Sequence, residues 1–148
     1  MADQMVRVIQ ESVHGFVIER LKAEYGAGDG YLERAIDNKE VLKRAYEKRL
    51  ESDDKDRKDM GTYFDFLDLR KIVESPKNWP LFSEKLEIQL PEERKGKARY
   101  VGWFDELNKT RRISAHPYNR GYSDEETKVL EFVHRTLVGR GVIAAPHR

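Results

Sequence analysis

Cysteine is absent from the chain, which removes disulfides, thiolate zinc sites and cysteine nucleophiles together and is most natural in a reducing compartment. Nor is there any run of about 18 apolar residues. The opening Met1-Ala-Asp-Gln-Met5 lacks a basic flank followed by a long apolar stretch. Neither secretion nor a membrane span is expected, and a cytoplasmic location fits. Strict apolar-polar alternation of the kind a half-buried strand needs is missing at any length, as are internal repeats and proline-rich or low-complexity tracts. A net charge of only +1 neither requires nor excludes an anionic partner, so the distribution of charge matters more than its sum.

Core material is present. Seven Tyr, six Phe and two Trp accompany 39% hydrophobic residues, more than a disordered chain of similar charge carries. At 148 residues the expectation is a single domain over 1–148. Apolar residues recur at three- and four-residue steps from Gln4 to Tyr25 (Met5, Val8, Ile9, Val13, Phe16, Val17, Leu21), which marks one helix ended by Gly26-Ala-Gly-Asp-Gly30. A second stripe runs through Leu32, Ala35, Ile36, Val41, Leu42, Ala45, Tyr46 and Leu50 and predicts one helix to about Glu51. The stretch 51–60 is read as a solvated connection. Its Asp53, Asp54, Asp56 and Asp59 are interleaved with Lys55, Arg57 and Lys58, and the glycine and terminal glutamate of a calcium loop are missing.

Tyr63 to Val73 forms a dense apolar helix with Ser75-Pro76 as its stop. Asn78-Trp79-Pro80 opens a further element, a short helix or irregular segment up to Leu90. Lys97 to Ala115 is a helix with Tyr100, Trp103, Phe104 and Leu107 on one stripe and Pro117 closing it. Ser123-Asp-Glu-Glu126 matches a capping box for a last helix over 124–137, burying Val129, Phe132, Val133 and Leu137 before Gly139 and Gly141 release a tail. The fold class implied is all-α, an up-and-down helical bundle of four long helices plus one or two short ones.

Charge is concentrated late in the chain. Arg94 to Arg120 holds eight Lys or Arg against Asp105 and Glu106, a local excess of +6 that leaves −5 elsewhere. Within it, Leu107-Asn-Lys-Thr-Arg-Arg-Ile-Ser-Ala-His-Pro117 gathers unusual features at one helix end. Arg111 lies four residues after Leu107, where the apolar stripe turns polar. Asn108 precedes Arg111 by three and Arg112 by four, and Arg112 precedes His116 by four, so an amide, two cations and an imidazole converge. Arginine pairs hold phosphate bidentately, and an imidazole takes or gives a proton near neutrality. The set suits metal-independent cleavage of an RNA phosphodiester with the ribose 2′-hydroxyl as nucleophile. No carboxylate cluster of a two-metal nuclease is seen, and neither cofactor nor metal is expected. Taken singly, each cation also fits a helix C-terminus, where the dipole favours positive charge by about 0.3–1 kcal/mol. The Tyr100, Trp103 and Phe104 cluster is read as core packing rather than a base-stacking platform, and Tyr118 and Arg120 as residues within reach of substrate.

The spacing Arg111-x-x-x-x-His116, set after the aromatic helix "YVGWFDE", resembles the Arg-x4–6-His motif of the HEPN superfamily. The segment "YFDFLDLRKIVESPKNWPLF" is similar to the HEPN branch fused to PIN-type nucleases and ATPases. The likeness covers 63–138, and the first two helices fit by architecture. It implies a helical bundle that homodimerises to bring two Arg-His motifs into one cleft, acting as a ribonuclease in toxin or phage-defence settings, with an antitoxin or a fused or associated larger protein as further partner. Residue by residue, it assigns phosphate stabilisation to Arg111 and acid-base work to His116, with Asn108 in support. The position after the motif arginine, commonly Asn or another small polar residue in that family, is Arg112 here. The alternative is a non-catalytic HEPN module that binds RNA or a nucleotide, or mediates protein interaction and oligomerisation.

Overall fold

The computed structural model describes residues 2–26, 28, 30–52, 60–90, 98–115 and 122–144, with only the backbone described for residues 2, 3, 60, 98, 99 and 110–115. The architecture is an all-α helical bundle, with no strand among the described residues. The long first helix, α1 (Ala2–Tyr25), places Val6, Ile9, Val13, Val17 and Leu21 in the core, the three- and four-residue steps of an amphipathic helix. It ends at Gly26, whose φ of 90° favours a residue without Cβ. The Gly26 amide donates to the Lys22 carbonyl at 2.9 Å.

The stripe that predicts one helix from Leu32 to Glu51 is cut in two, α2 (Tyr31–Ala35) and α3 (Lys39–Glu51). The cause is Asn38. Its side chain accepts from the amides of Glu40 and Val41 at 3.1 and 3.3 Å, and an asparagine that bonds forward to backbone competes with a continuous helix. After this elbow only part of the stripe meets the core: Val41 and Ala45 are buried, whereas Tyr46 is 38% and Leu50 71% exposed.

The connection expected over 51–60 lies largely outside the described residues. A 3-10 turn spans Met60–Tyr63, and α4 covers Phe66–Glu74. The apolar run suggests a helix from Tyr63, but Asp65 sets the start: its carboxylate accepts from the Asp68 amide at 2.8 Å, and Asp68 returns the bond to the Asp65 amide. Such a reciprocal cap satisfies donors that a helix start leaves open. Asp68 is only 1% exposed and also pairs with Arg44 of α3, whose guanidinium is held above its ordinary pKa by that bond.

Ser75 ends α4, and α5 (Trp79–Leu86) follows with Pro80 in its first turn, where a missing amide costs nothing. Asn78 between them is fully buried. Its amide donates to the carbonyls of Ala35 (2.8 Å) and Ile72 (3.1 Å), and its oxygen accepts from the Tyr25 hydroxyl at 2.8 Å. Burial, together with Glu24 and Asp37, pushes the Tyr25 phenol above its usual range. Beyond α5 the chain leaves helical geometry, with Ile88 and Leu90 still buried.

The helix expected over 97–115 is interrupted at Gly102 into α6 (Ala98–Val101) and α7 (Trp103–Ala115). Ser123 caps α8 (Asp124–Gly139) in the reciprocal arrangement with Glu126. Leu130, Val133 and Leu137 are its buried residues, and Val129 and Phe132 pack partly against the core. The chain is not released after Gly139 and Gly141: the Val142 and Ile143 amides donate to the Leu137 carbonyl, and Ile143 is buried. Arg140 donates to the carbonyls of Lys85 and Glu87 while Lys85 donates to that of Arg140, which fastens this return to the end of α5. At the centre α1 packs against α4, α7 and α8, and α7 packs against α4 and α8. No helix among the described residues is long and apolar enough to cross a membrane.

Candidate nucleic-acid interface

The candidate interface is built on α7. Its first half is core: Trp103, Phe104 and Leu107 have no exposed surface. The Trp103 indole donates to the Leu86 carbonyl at 3.0 Å, the partner a buried indole N–H needs. Phe66 of α4 stacks on Phe104 at 4.7 Å between centroids and meets Trp103 edge-on at 6.2 Å. Tyr100, half-buried, stacks on Trp79 at 6.2 Å. The aromatic cluster is therefore scaffold, as its helical spacing implies.

Helical geometry persists through Ala115, so register alone places the basic residues along the helix. At about 100° per residue, position 111 falls on the line of Phe104 and Leu107, seven and four residues earlier. Position 112 falls on the line of Asp105, seven residues earlier, beside Asn108. By register the two arginines thus occupy adjacent faces, 111 on the line of Phe104 and Leu107 and 112 on that of Asp105. Asn108 is half-buried and Lys109 exposed. The structure brings Asn108, Arg111 and Arg112 onto one helix end; His116, Tyr118 and Arg120 lie outside the described residues.

One pair on this face has no local sequence signal. The Arg70 guanidinium of α4 donates to Asp105 at 2.5 Å and lies 3.4 Å through Nε from the Glu74 carboxylate. That second approach is within ion-pair range but not aligned as a hydrogen bond. Arg70 and Asp105 are 35 residues apart, beyond anything helical periodicity can report. Away from α7, the His14 imidazole contacts the Gly61 carbonyl through Nε2 at 2.7 Å, tying α1 to the 3-10 turn. No group of three or more His, Asp or Glu among the described residues is arranged to hold a metal ion. An open groove of about 600 Å³ is lined by Asp37, Asn38, Lys71, Glu74, Ser75 and Pro76; two carboxylates to one ammonium give it no preference for a polyanion. Comparison with known protein families, curated proteins and solved structures finds no match to the chain.

Proposed function

We propose that the chain is a HEPN-type domain acting as a metal-independent endoribonuclease. The observation that supports this best is the continuity of α7 from a fully buried aromatic half to Ala115, immediately before His116. A rigid helix then presents Asn108, Arg111 and Arg112 at one end, and rigid elements hold reacting groups more closely than loops do. In the reaction the ribose 2′-oxygen attacks the adjacent phosphorus and the bond from phosphorus to the 5′-oxygen breaks. The products are a 2′,3′-cyclic phosphate and a 5′-hydroxyl. An imidazole takes the 2′-hydroxyl proton and another returns a proton to the leaving oxygen, which two copies of His116 in a homodimeric cleft supply. Arg111 stabilises the charge that builds on the phosphate. The setting that suits this activity is a cytoplasmic toxin or phage-defence protein, with an antitoxin or an associated larger protein as partner.

Arg112, in the place of a small polar residue, favours a second reading: a HEPN module that grips RNA without cutting it. Incubating the protein with mixed RNA in EDTA separates the two. Fragments ending in 2′,3′-cyclic phosphate, absent with His116→Ala at unchanged helicity, are the expected result. Intact RNA at high protein concentration, with salt-sensitive binding, would leave the binding module as the reading.

A further inference from the structure

The Arg70–Asp105 pair poses a question of charge. Asp105 shares a helix line with Arg112, and seven residues at 1.5 Å rise put the two positions about 10 Å apart along the axis. Asn108 lies between them. A bare carboxylate there would repel a polyanion drawn to the end of α7, and about 10 Å is one Debye length at 0.1 M salt, so such repulsion is felt at lower ionic strength. The side chains of Arg70 and Asp105 are 23% and 41% exposed, so the arginine lies mostly within the α4–α7 contact while the carboxylate it pairs with remains partly open to solvent.

We infer that Arg70 is a screening residue: by pairing with Asp105 it removes a negative charge from the helix face along which an RNA phosphate approaches Asn108 and Arg112. The inference rests on the nucleic-acid reading above and adds to it a residue from a different helix. Glu74 draws on the same guanidinium from 3.4 Å, so it opposes the screening to a smaller degree. Among the described residues, the charged groups in contact around the pair are Arg70 and Glu74 from α4 and Asp105 from α7, with Glu106 and Lys109 following Asp105 along α7.

The sign of the effects makes the inference testable. A pair that merely held α7 in place would lose function on removal of either partner. Screening predicts opposite outcomes: Asp105→Asn tightens RNA binding about three- to tenfold, Arg70→Met weakens it by a similar factor, and the double variant returns near wild type. Glu74→Gln tightens binding less than Asp105→Asn does. The probe is a fluorescent single-stranded RNA with every 2′-hydroxyl methylated, which cannot be cleaved, titrated from about 0.01 M to 0.2 M salt. The differences should shrink across that range as the Debye length falls from about 30 Å to below 10 Å. Wild-type binding with both single variants weaker, or with Asp105→Asn unchanged, overturns the screening role alone. Absence of binding by all of these proteins at the lowest salt overturns the nucleic-acid reading, and this inference with it. Asp105→Asn is near-isosteric at a half-exposed position, and unchanged circular dichroism confirms that affinity rather than folding is read.

Discussion

The two halves of α7 share one backbone and differ in what surrounds it. From Trp103 to Leu107 three side chains have no exposed surface and an indole is bonded to a neighbouring carbonyl. From Asn108 onward the helix carries Lys109, Arg111 and Arg112. The first half is specified by volume, because a packed interior registers the loss of even a methylene. The second half is distinguished by charge and spacing, and it is the part on which the proposed RNA contact rests. The helix is thus anchored by its first half and carries the proposed site on its second.

That division can be broken by substitutions on either side of Leu107. The largest effect is expected from Arg111→Ala, which should lower RNA cleavage by about 100-fold or more, the scale of removing one group that stabilises developing charge. Its thermal midpoint should stay close to that of the parent. A parallel fall in stability would show that position 111 belongs to the core half. Trp103→Ala should do the reverse, with urea unfolding showing about 3–5 kcal/mol lost to the cavity. A value under about 1 kcal/mol would mean the aromatic half is not the anchor.

Smaller effects sharpen the contrast elsewhere. Because the Tyr25 phenol is raised above its ordinary range by burial, Glu24 and Asp37, its neutral form is the one the fold favours. The stability it contributes is whole below about pH 10 and declines as pH rises through the higher folded value. The urea midpoint should drop on the alkaline side, and Tyr25→Phe should flatten that drop. An equal slope in the variant would remove Tyr25 as its source. Least of all, Leu50→Ser should change stability by no more than about 0.5 kcal/mol, since Leu50 is 71% exposed. A larger loss would mean that something covers this residue in solution.

What could be read without coordinates was whatever is local. Ser123 with Glu126 and the stop at Ser75-Pro76 are each set by residues within one turn. The three- and four-residue spacing of Asn108, Arg111 and Arg112 is equally local, so their sharing of one helix end was legible too. The departures arise where a side chain competes with the helix it sits in. Asn38 bonds forward and splits a stripe that periodicity reads as continuous, and Asp65 delays the start of α4 although Tyr63 and Phe64 extend the apolar run. Others arise from distant partners: Ile143 returns to the core past two glycines that suggest a free tail, and Leu50 is left outside because the elbow turns α3. Arg70 and Asp105 meet only because α4 packs on α7, and no spacing rule reaches across 35 residues. The Arg111 to His116 relation extends beyond the described residues, so the site's legibility reaches Arg112 and not the imidazole.

Asn78 carries a consequence for how the chain assembles. Its amide and carbonyl are satisfied by residues 53, 43 and 6 positions away in sequence, and a buried amide left without partners is costly. It is content only when the end of α1, the elbow after α2 and the last turn of α4 have all arrived. No one of these three can open without stranding it, so it makes their unfolding a joint event. A polar residue thereby supplies the all-or-none behaviour usually credited to the apolar core.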